Sequence, residues 1–365
     1  MAVRAHGRAG RRGWRPRCAW VLALGLLACA WELLAPPLPW GARSPPPPPV
    51  KVLLWWEPFQ NRSVSRPPPD CEARFSIRGC HLLADRARLP EADAVLLHHR
   101  DLVRAPPEQC PPAGPARPRG QLWVWMNLES PTHTPLLGRL ARFGLNWTLT
   151  YRADSDVFVP YGRLRPRVHA WDPPVGPAPP PGSKRALVAW VVSHWDERHA
   201  RVRYYRQLRR HLAVDVFGLA GGHGRPLPAW ALPATLARYE FYLAFENSQH
   251  RDYITEKLWR NALLAGAVPV VLGPPRANYE RFVPRRAFLH VDDFPSAARL
   301  AAHLRLLHRR PAAYRRHFLW RRSFAVRTIT LRDGAWCLAC QAVQRARAVP
   351  GHRRPDRDIA RWFRS

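Results

Sequence analysis

At 365 residues the chain is long enough for two ordinary domains with real cores, and a composition that is 47% hydrophobic excludes wholesale disorder. Fifty-eight Lys and Arg against 26 Asp and Glu give a formal net charge of +32. The basic residues run along the whole length, and no zinc-finger, RNP or helix-turn-helix signature accompanies them, so the charge alone does not make a nucleic-acid binder.

Six arginines (Arg4, Arg8, Arg11, Arg12, Arg15, Arg17) precede "CAWVLALGLLACAWELLA", an 18-residue run at 18–35 whose only charge is Glu32, and three prolines follow by Pro39. A helix of that run spans roughly 27 Å, enough for a thin early-secretory membrane. The reading is a cytosolic tail (1–17), a single transmembrane signal anchor (18–40) and a proline-rich stem (41–50). Positive-inside bias then places the rest in the lumen. A cleaved signal peptide competes, because "ACA" at 28–30 imitates a cleavage site; apolar residues continuing to Ala35 favour the anchor. The sequons at Asn61 and Asn146 suit a luminal body. So do Cys71, Cys80, Cys110, Cys337 and Cys340, an odd set in which Cys110, in a proline-rich loop, is the expected free thiol.

"VKVLLWW" (50–56), "ADAVLLHHR" (92–100) and "QLWVWMNLES" (121–130) read as buried strands, with Trp55, Trp56, Trp123 and Trp125 in the core. The proline-rich stretch 166–181 reads as a linker. Beyond it come a strand at 186–194, an amphipathic helix at 196–212, strands in "VDVFG" and at 239–247, a helix from about Asp252 to Ala265 ended by Gly266, and the strand "VPVVLG". Such alternation predicts parallel α/β sheets.

One stretch carries more chemistry than the rest: "FENSQHRDYITEKLW" (245–259) follows a strand, opens a helix and holds Lys257, one of only three lysines with Lys51 and Lys184. A helix N-terminus beyond a strand end suits an anion. Asp252, Glu256 and Arg260, spaced by four, equally fit an exposed salt-bridge ladder with Asp252 as N-cap.

The run "FYLAFENSQHRDYITEKLWRNALLAGAVPVVLGPPRANYERFVP", with "WVWMNLESPTHTP", "YRADSDVFVPYG", "VVSHWDERHARVRYY" and "FLHVDDFPS", resembles the α-1,3-fucosyltransferases over residues 50–365. The resemblance implies two Rossmann-like domains facing across a cleft (GT-B type): an acceptor-side domain at 51–165, a linker at 166–186, a donor domain at 187–330, and a C-terminal segment (331–365) packing back on the first domain. It implies GDP-fucose as donor, bound by Tyr161, Ser193, His194, Arg201, Tyr242, Asn247, Tyr253, Glu256 and Lys257. The family often has Asn where this chain has His194.

It further implies Glu129 as catalytic base, and Gln60, His99 and Arg100 on the acceptor side, where "HHRD" accompanies a preference for type 2 N-acetyllactosamine glycans, hence Lewis x type products on glycoproteins and glycolipids of the Golgi membrane. Inverting transfer needs a base on the acceptor hydroxyl and stabilisation of the departing diphosphate. No cofactor is required and no metal ligand is assigned, although stimulation by a metal stays open: "DSD" at 154–156 falls in the acceptor half, and Asp292 and Asp293 suit a loop or strand end. The resemblance implies disulfides Cys71–Cys337 and Cys80–Cys340; Cys71–Cys80 with Cys337–Cys340 is the alternative. The rival functions are a non-catalytic luminal glycan-binding protein on the same fold and, more remotely, a basic nucleic-acid binder.

Overall fold

The computed structural model describes residues 49–55, 68–112, 118, 120–167, 184–218, 224–329, 333–348 and 358–365. The expected tail, anchor and stem, Trp56, Gln60, Asn61 and most of the linker lie outside the described residues. Among the described residues no helix is long and apolar enough to cross a membrane.

The first half holds β1 (Val50–Trp55), β2 (Cys80–Leu83), β3 (Ala94–His98), β4 (Leu122–Met126), β5 (Trp147–Thr150) and β6 (Val157–Phe158), all parallel, in the order β2-β1-β3-β4-β5-β6. Near-continuous apolar runs are what a sheet covered on both faces requires. Alternate residues divide between two cores: Leu53, Trp55, Val95, Leu97, Trp123 and Trp125 on one face, Val52, Leu54, Leu96 and Val124 on the other. β3 stops at His98 because helix α2 (His99–Arg104) starts there, after the short α1 (Cys71–Phe75).

An antiparallel ribbon of β7 (Gly162–Pro166) and β13 (Phe324–Thr328) joins this half to the second. There β8 (Ala186–Val191), β9 (Asp215–Phe217), β10 (Tyr239–Phe245), β11 (Val268–Leu272) and β12 (Leu289–His290) run parallel in the order β12-β11-β10-β8-β9. Helices α3 (Ala200–Leu208) and α4 (Ala297–Arg309) cover one face with Val202, Leu208, Leu300 and Leu304. The expected helix at 196–212 is thus shorter, with His199 as its N-cap. Both sheets share one winding, in which the strand order reverses between the first and third strands. Ligands of doubly wound sheets sit beyond the strand ends at that reversal, here after β1 and β3 in one half and β8 and β10 in the other.

The C-terminal segment completes the first half. Helix α5 (Asp333–Arg347) lays Ala335, Trp336, Ala339 and Val343 on one face of the first sheet. Helix α6 (Ile359–Arg364) adds Ile359 and Phe363 to the core on the other face. Buried Arg152 holds α6 by donating to the carbonyls of Trp362 (2.6 Å) and Ser365 (2.9 Å), while its other nitrogen pairs with Asp154 at 2.8 Å. Disulfides Cys71–Cys337 and Cys80–Cys340 tie α5 to the start of the domain, and Cys110 is free.

The first bridge spans 266 residues and removes about 5 kcal/mol of unfolded-state entropy, whereas the second then closes only a small extra ring, for about 3 kcal/mol. Non-reducing peptide mapping is expected to recover both long-range pairs. The double variant Cys80→Ala/Cys340→Ala is expected to lose about 2–4 kcal/mol in chemical unfolding.

Candidate active site between the two sheets

β10 ends in a buried acid. Glu246, 1% exposed, accepts from the backbone N–H of Thr255 (2.8 Å) and from its hydroxyl (2.9 and 3.0 Å). The Lys257 ammonium lies 3.1 Å from Glu246, 3.2 Å from Glu256 and 2.8 Å from Thr255 Oγ1. Burial works against the charge of Lys257, but the two carboxylates outweigh it and hold its pKa above the usual lysine range. Burial likewise opposes ionisation of Glu256, yet Lys257 keeps that carboxyl below its ordinary value. Gly273 is required at the end of β11, because a Cβ there would stand 2.4 Å from the Tyr279 hydroxyl and 3.2 Å from Glu246 Cγ.

The helix after this cluster is not the one expected. It is π-helical over Lys257–Leu264, and Asp252 is not its N-cap. Asp252 sits in the left-handed region (φ 60°), buried, with its carboxylate accepting from Asn278 (2.6 Å), Arg281 (3.1 Å) and the backbone N–H of Ala153 in the first half (3.0 Å). The exposed salt-bridge ladder is therefore excluded. π-helical turns concentrate at functional sites; this one brings Trp259 against the ribbon so closely that a Cβ on Gly162 would lie 2.5 Å from its ring.

Between Glu246 and Lys257 the chain docks onto the first half. Ser248 donates to Ser130 at 2.7 Å, the Thr132 hydroxyl meets His250 Nε2 at 2.6 Å, and Arg251 stands 3.6 Å from Asp154. Tyr253 enters the core of the first half, 5.0 Å ring to ring from Tyr151. Sequence singled out the stretch 245–259 that holds Glu246 and this docking run, but not Glu246 itself nor the contacts made with the first half. The one available signal was the adjacency of Glu246 to the strand end.

The other expected donor-side residues divide into two groups. Ser193 and His194 are exposed just beyond β8, Asn247 is half-buried beyond β10, and Arg201 lies buried in the first turn of α3 with one guanidinium nitrogen on the His194 carbonyl. Burial lowers the Arg201 pKa while Glu246 opposes that shift, and its Nε is buried without a hydrogen-bond partner among the described residues. Tyr242 and Tyr253 are different: Tyr242 is fully buried with its hydroxyl on Asn261 (3.1 Å), and Tyr253 is 2% exposed, so both serve packing rather than a ligand-facing surface. Tyr161 is half-buried, donates to the Leu128 carbonyl at 2.6 Å, and lies within electrostatic reach of Glu129, Glu246 and Glu256.

On the acceptor side Glu129 is exposed just past the end of β4, in a turn fixed by Asn127, which donates to the Glu129 carbonyl (3.2 Å) and to Thr134 (2.8 Å). Arg100 is half-buried and feels the charge of Glu129. His99 is withdrawn from the surface: Trp125 donates to its Nδ1 (3.3 Å), so its Nε2 carries the proton and donates to the Pro135 carbonyl (2.8 Å). Burial lowers its pKa to about 4 and keeps it neutral, which makes it a support for α2 rather than an acceptor contact. Half-buried Asn146 uses its side-chain oxygen on the Trp123 N–H (2.7 Å).

The aspartates in the "DSD" stretch are engaged structurally. Asp154 pairs with Arg152, and Asp156 accepts from the Thr148 N–H (2.9 Å) and hydroxyl (2.8 Å). Asp293 pairs with Arg276 and accepts from the His290 N–H (3.1 Å), a loop role.

Comparison with known proteins bears on both halves. The family model "Fucosyltransferase, N-terminal" matches residues 47–162, and "Glycosyltransferase family 10 (fucosyltransferase) C-term" matches residues 181–362. The chain is similar to alpha-(1,3)-fucosyltransferase 4 of Homo sapiens, 58% identical across 97% of this chain and 74% of that one. It is also similar to alpha-(1,3)-fucosyltransferase 7 of Homo sapiens, 51% identical across 87% of this chain and 88% of that one. A crystal structure of alpha1,3-fucosyltransferase with GDP covers 84% of this chain at 15% identity and a TM-score of 0.48. With both family models matched in order and more than half the residues identical to a relative over nearly the whole length, this chain belongs to glycosyltransferase family 10 and is an α-(1,3)-fucosyltransferase.

Proposed function

We propose that the chain transfers L-fucose from GDP-β-L-fucose, with inversion, to O3 of GlcNAc in type 2 N-acetyllactosamine glycans, giving Lewis x and sialyl Lewis x type products. It would act as a single-pass type II protein of the Golgi membrane with the two sheets in the lumen. One observation carries the reading of the chemistry. The Lys257 ammonium and Arg201 guanidinium, at the strand-order reversal of the second sheet, share one junction with the exposed carboxylate beyond β4: Ser130, next to Glu129, accepts at 2.7 Å from Ser248 of the segment between Glu246 and Lys257.

In this mechanism Lys257 and the buried Arg201 guanidinium stabilise the departing diphosphate, a fixed arrangement that needs no reorganisation as charge develops. Exposed Glu129 takes the proton of the acceptor hydroxyl as that oxygen attacks the anomeric carbon from the opposite face. Arg100, beside Glu129, orients the acceptor. A non-catalytic glycan-binding role is disfavoured, since it would not require both a base and a diphosphate cluster. The deciding assay offers GDP-fucose with type 1, type 2 and sialylated type 2 acceptors; transfer to type 1 in preference to type 2 would overturn the acceptor assignment.

Glu129→Gln is expected to lower kcat by about 10²–10⁴-fold with GDP affinity near wild type, because the side chain is exposed. Retention of most turnover would move the base elsewhere.

Lys257→Ala is expected to weaken GDP binding in calorimetry and also to cost about 3–5 kcal/mol of stability, since it strands Glu246 in the interior. The double variant Glu246→Gln/Lys257→Met is expected to recover stability without recovering GDP affinity, which separates the two roles. Lys257→Arg is expected to restore binding only in part, because the larger planar fork must fit between Glu246, Thr255 and Glu256.

A further inference from the structure

Among the described residues one cluster of metal-ligating side chains borders the expected donor side and is not itself used by the proposed mechanism. His194, Asp196 and His199, in the loop from β8 into α3, each offer a ligand atom, and these atoms lie within 4.8 Å of one another. The rings of His194 and His199 are 5.5 Å apart, and on the far side His133 of the first half stands 5.8 Å from His199. Two imidazoles sharing one tetrahedral ion, with metal–nitrogen bonds of about 2.0–2.1 Å, hold their ring centres roughly 5 Å apart. The rings therefore need only a small movement. His199 Nδ1 is buried without a hydrogen-bond partner, and nothing in the reaction described above uses it.

We propose that His194, Asp196 and His199 bind a divalent transition-metal ion of the zinc class at the junction of the two halves. Two nitrogens and one carboxylate oxygen select a borderline ion over magnesium or calcium, which favour all-oxygen sets. Three protein ligands leave a tetrahedral ion one further position for water or a ligand oxygen. Arg198 gates the site: its guanidinium grips both oxygens of Asp196 at 2.8–3.2 Å, yet its side chain is 90% exposed and free to swing into solvent. Buried Arg201, on the His194 carbonyl, opposes a dication, so binding is modest rather than tight.

The test is titration of the full-length protein with zinc, by calorimetry, and with cobalt(II), whose visible absorption reports imidazole and carboxylate ligation. One saturable ion per chain is expected, and His194→Asn and His199→Gln should each weaken it about tenfold or more. His194→Asn alters an exposed side chain, so a folding defect does not confound that arm. Arg198→Ala should tighten binding by releasing the carboxylate. Absence of saturable binding, binding unmoved by both histidine variants, or binding lost with Cys110→Ser instead, would overturn the site.

Discussion

A lysine and a glutamate buried together at the end of β10 set the terms for everything around them. An ion pair out of water survives only when further hydrogen bonds absorb the remaining desolvation cost. Here Thr255 does so through its N–H and its hydroxyl, which pins the start of the π-helix to the end of the strand. The Tyr279 hydroxyl beside Glu246 leaves no room for a Cβ at Gly273, and Lys257 holds Glu256 ionised at the surface of the cluster. The arrangement adds little to net stability by comparison with an apolar core. What it supplies is a fixed, buried ammonium whose two carboxylates cannot be separated from it without leaving an unpaired buried charge.

The same segment closes the molecule. Between the two ends of the ionic cluster the chain reaches out to Ser130, Thr132 and Ala153, and drives Tyr253 into the opposite core. The turn that carries Glu129 is thus hydrogen-bonded, through its neighbour Ser130, to the segment that carries Lys257. In the proposed reaction, the spacing between base and diphosphate is set by one continuous stretch of backbone rather than by two independently mobile lobes. The left-handed conformation at Asp252 is the local cost of that reversal, held by three partners on its side chain, Asn278, Arg281 and the Ala153 N–H, and by its own N–H on Asn278.

Much of the fold was legible because its signals are local. Apolar runs such as "VKVLLW" and "LWVWM" identified strands, and alternation of strand and helix identified parallel sheets. The shared winding order was not legible, since it depends on which strands meet. Individual site residues divided along the same line. Glu129, Lys257 and Arg201 stand at strand ends and helix starts that sequence patterns locate. Tyr253 and His99 are polar residues drawn into a core beside aromatic rings from other elements, and Tyr242 is fully buried on β10 with Asn261 on its hydroxyl; no spacing reveals these contacts. Asp252 looked like a helix cap because its neighbours at four-residue intervals carry charge; its real partners, Asn278, Arg281 and Ala153, are 26, 29 and 99 residues away.

The return of the last helices to the first sheet has a consequence for how the chain is made. A domain that supplied its own core could fold as it left the ribosome. Here both faces of the first sheet wait for α5 and α6, and Cys71 and Cys80 wait for partners 266 and 260 residues downstream. At about 5–20 residues per second that delay is roughly 10–50 s, during which the first sheet is uncovered. Cys71 and Cys80 are meanwhile close enough to pair with each other, the bridge that closes at least entropic cost. On the proposed luminal topology, biogenesis would gain from chaperones that shield half-built apolar surface and from catalysts that undo the premature local bridge. A lesion in α6, far from the proposed reacting atoms, would act as a folding defect before it acted as a catalytic one.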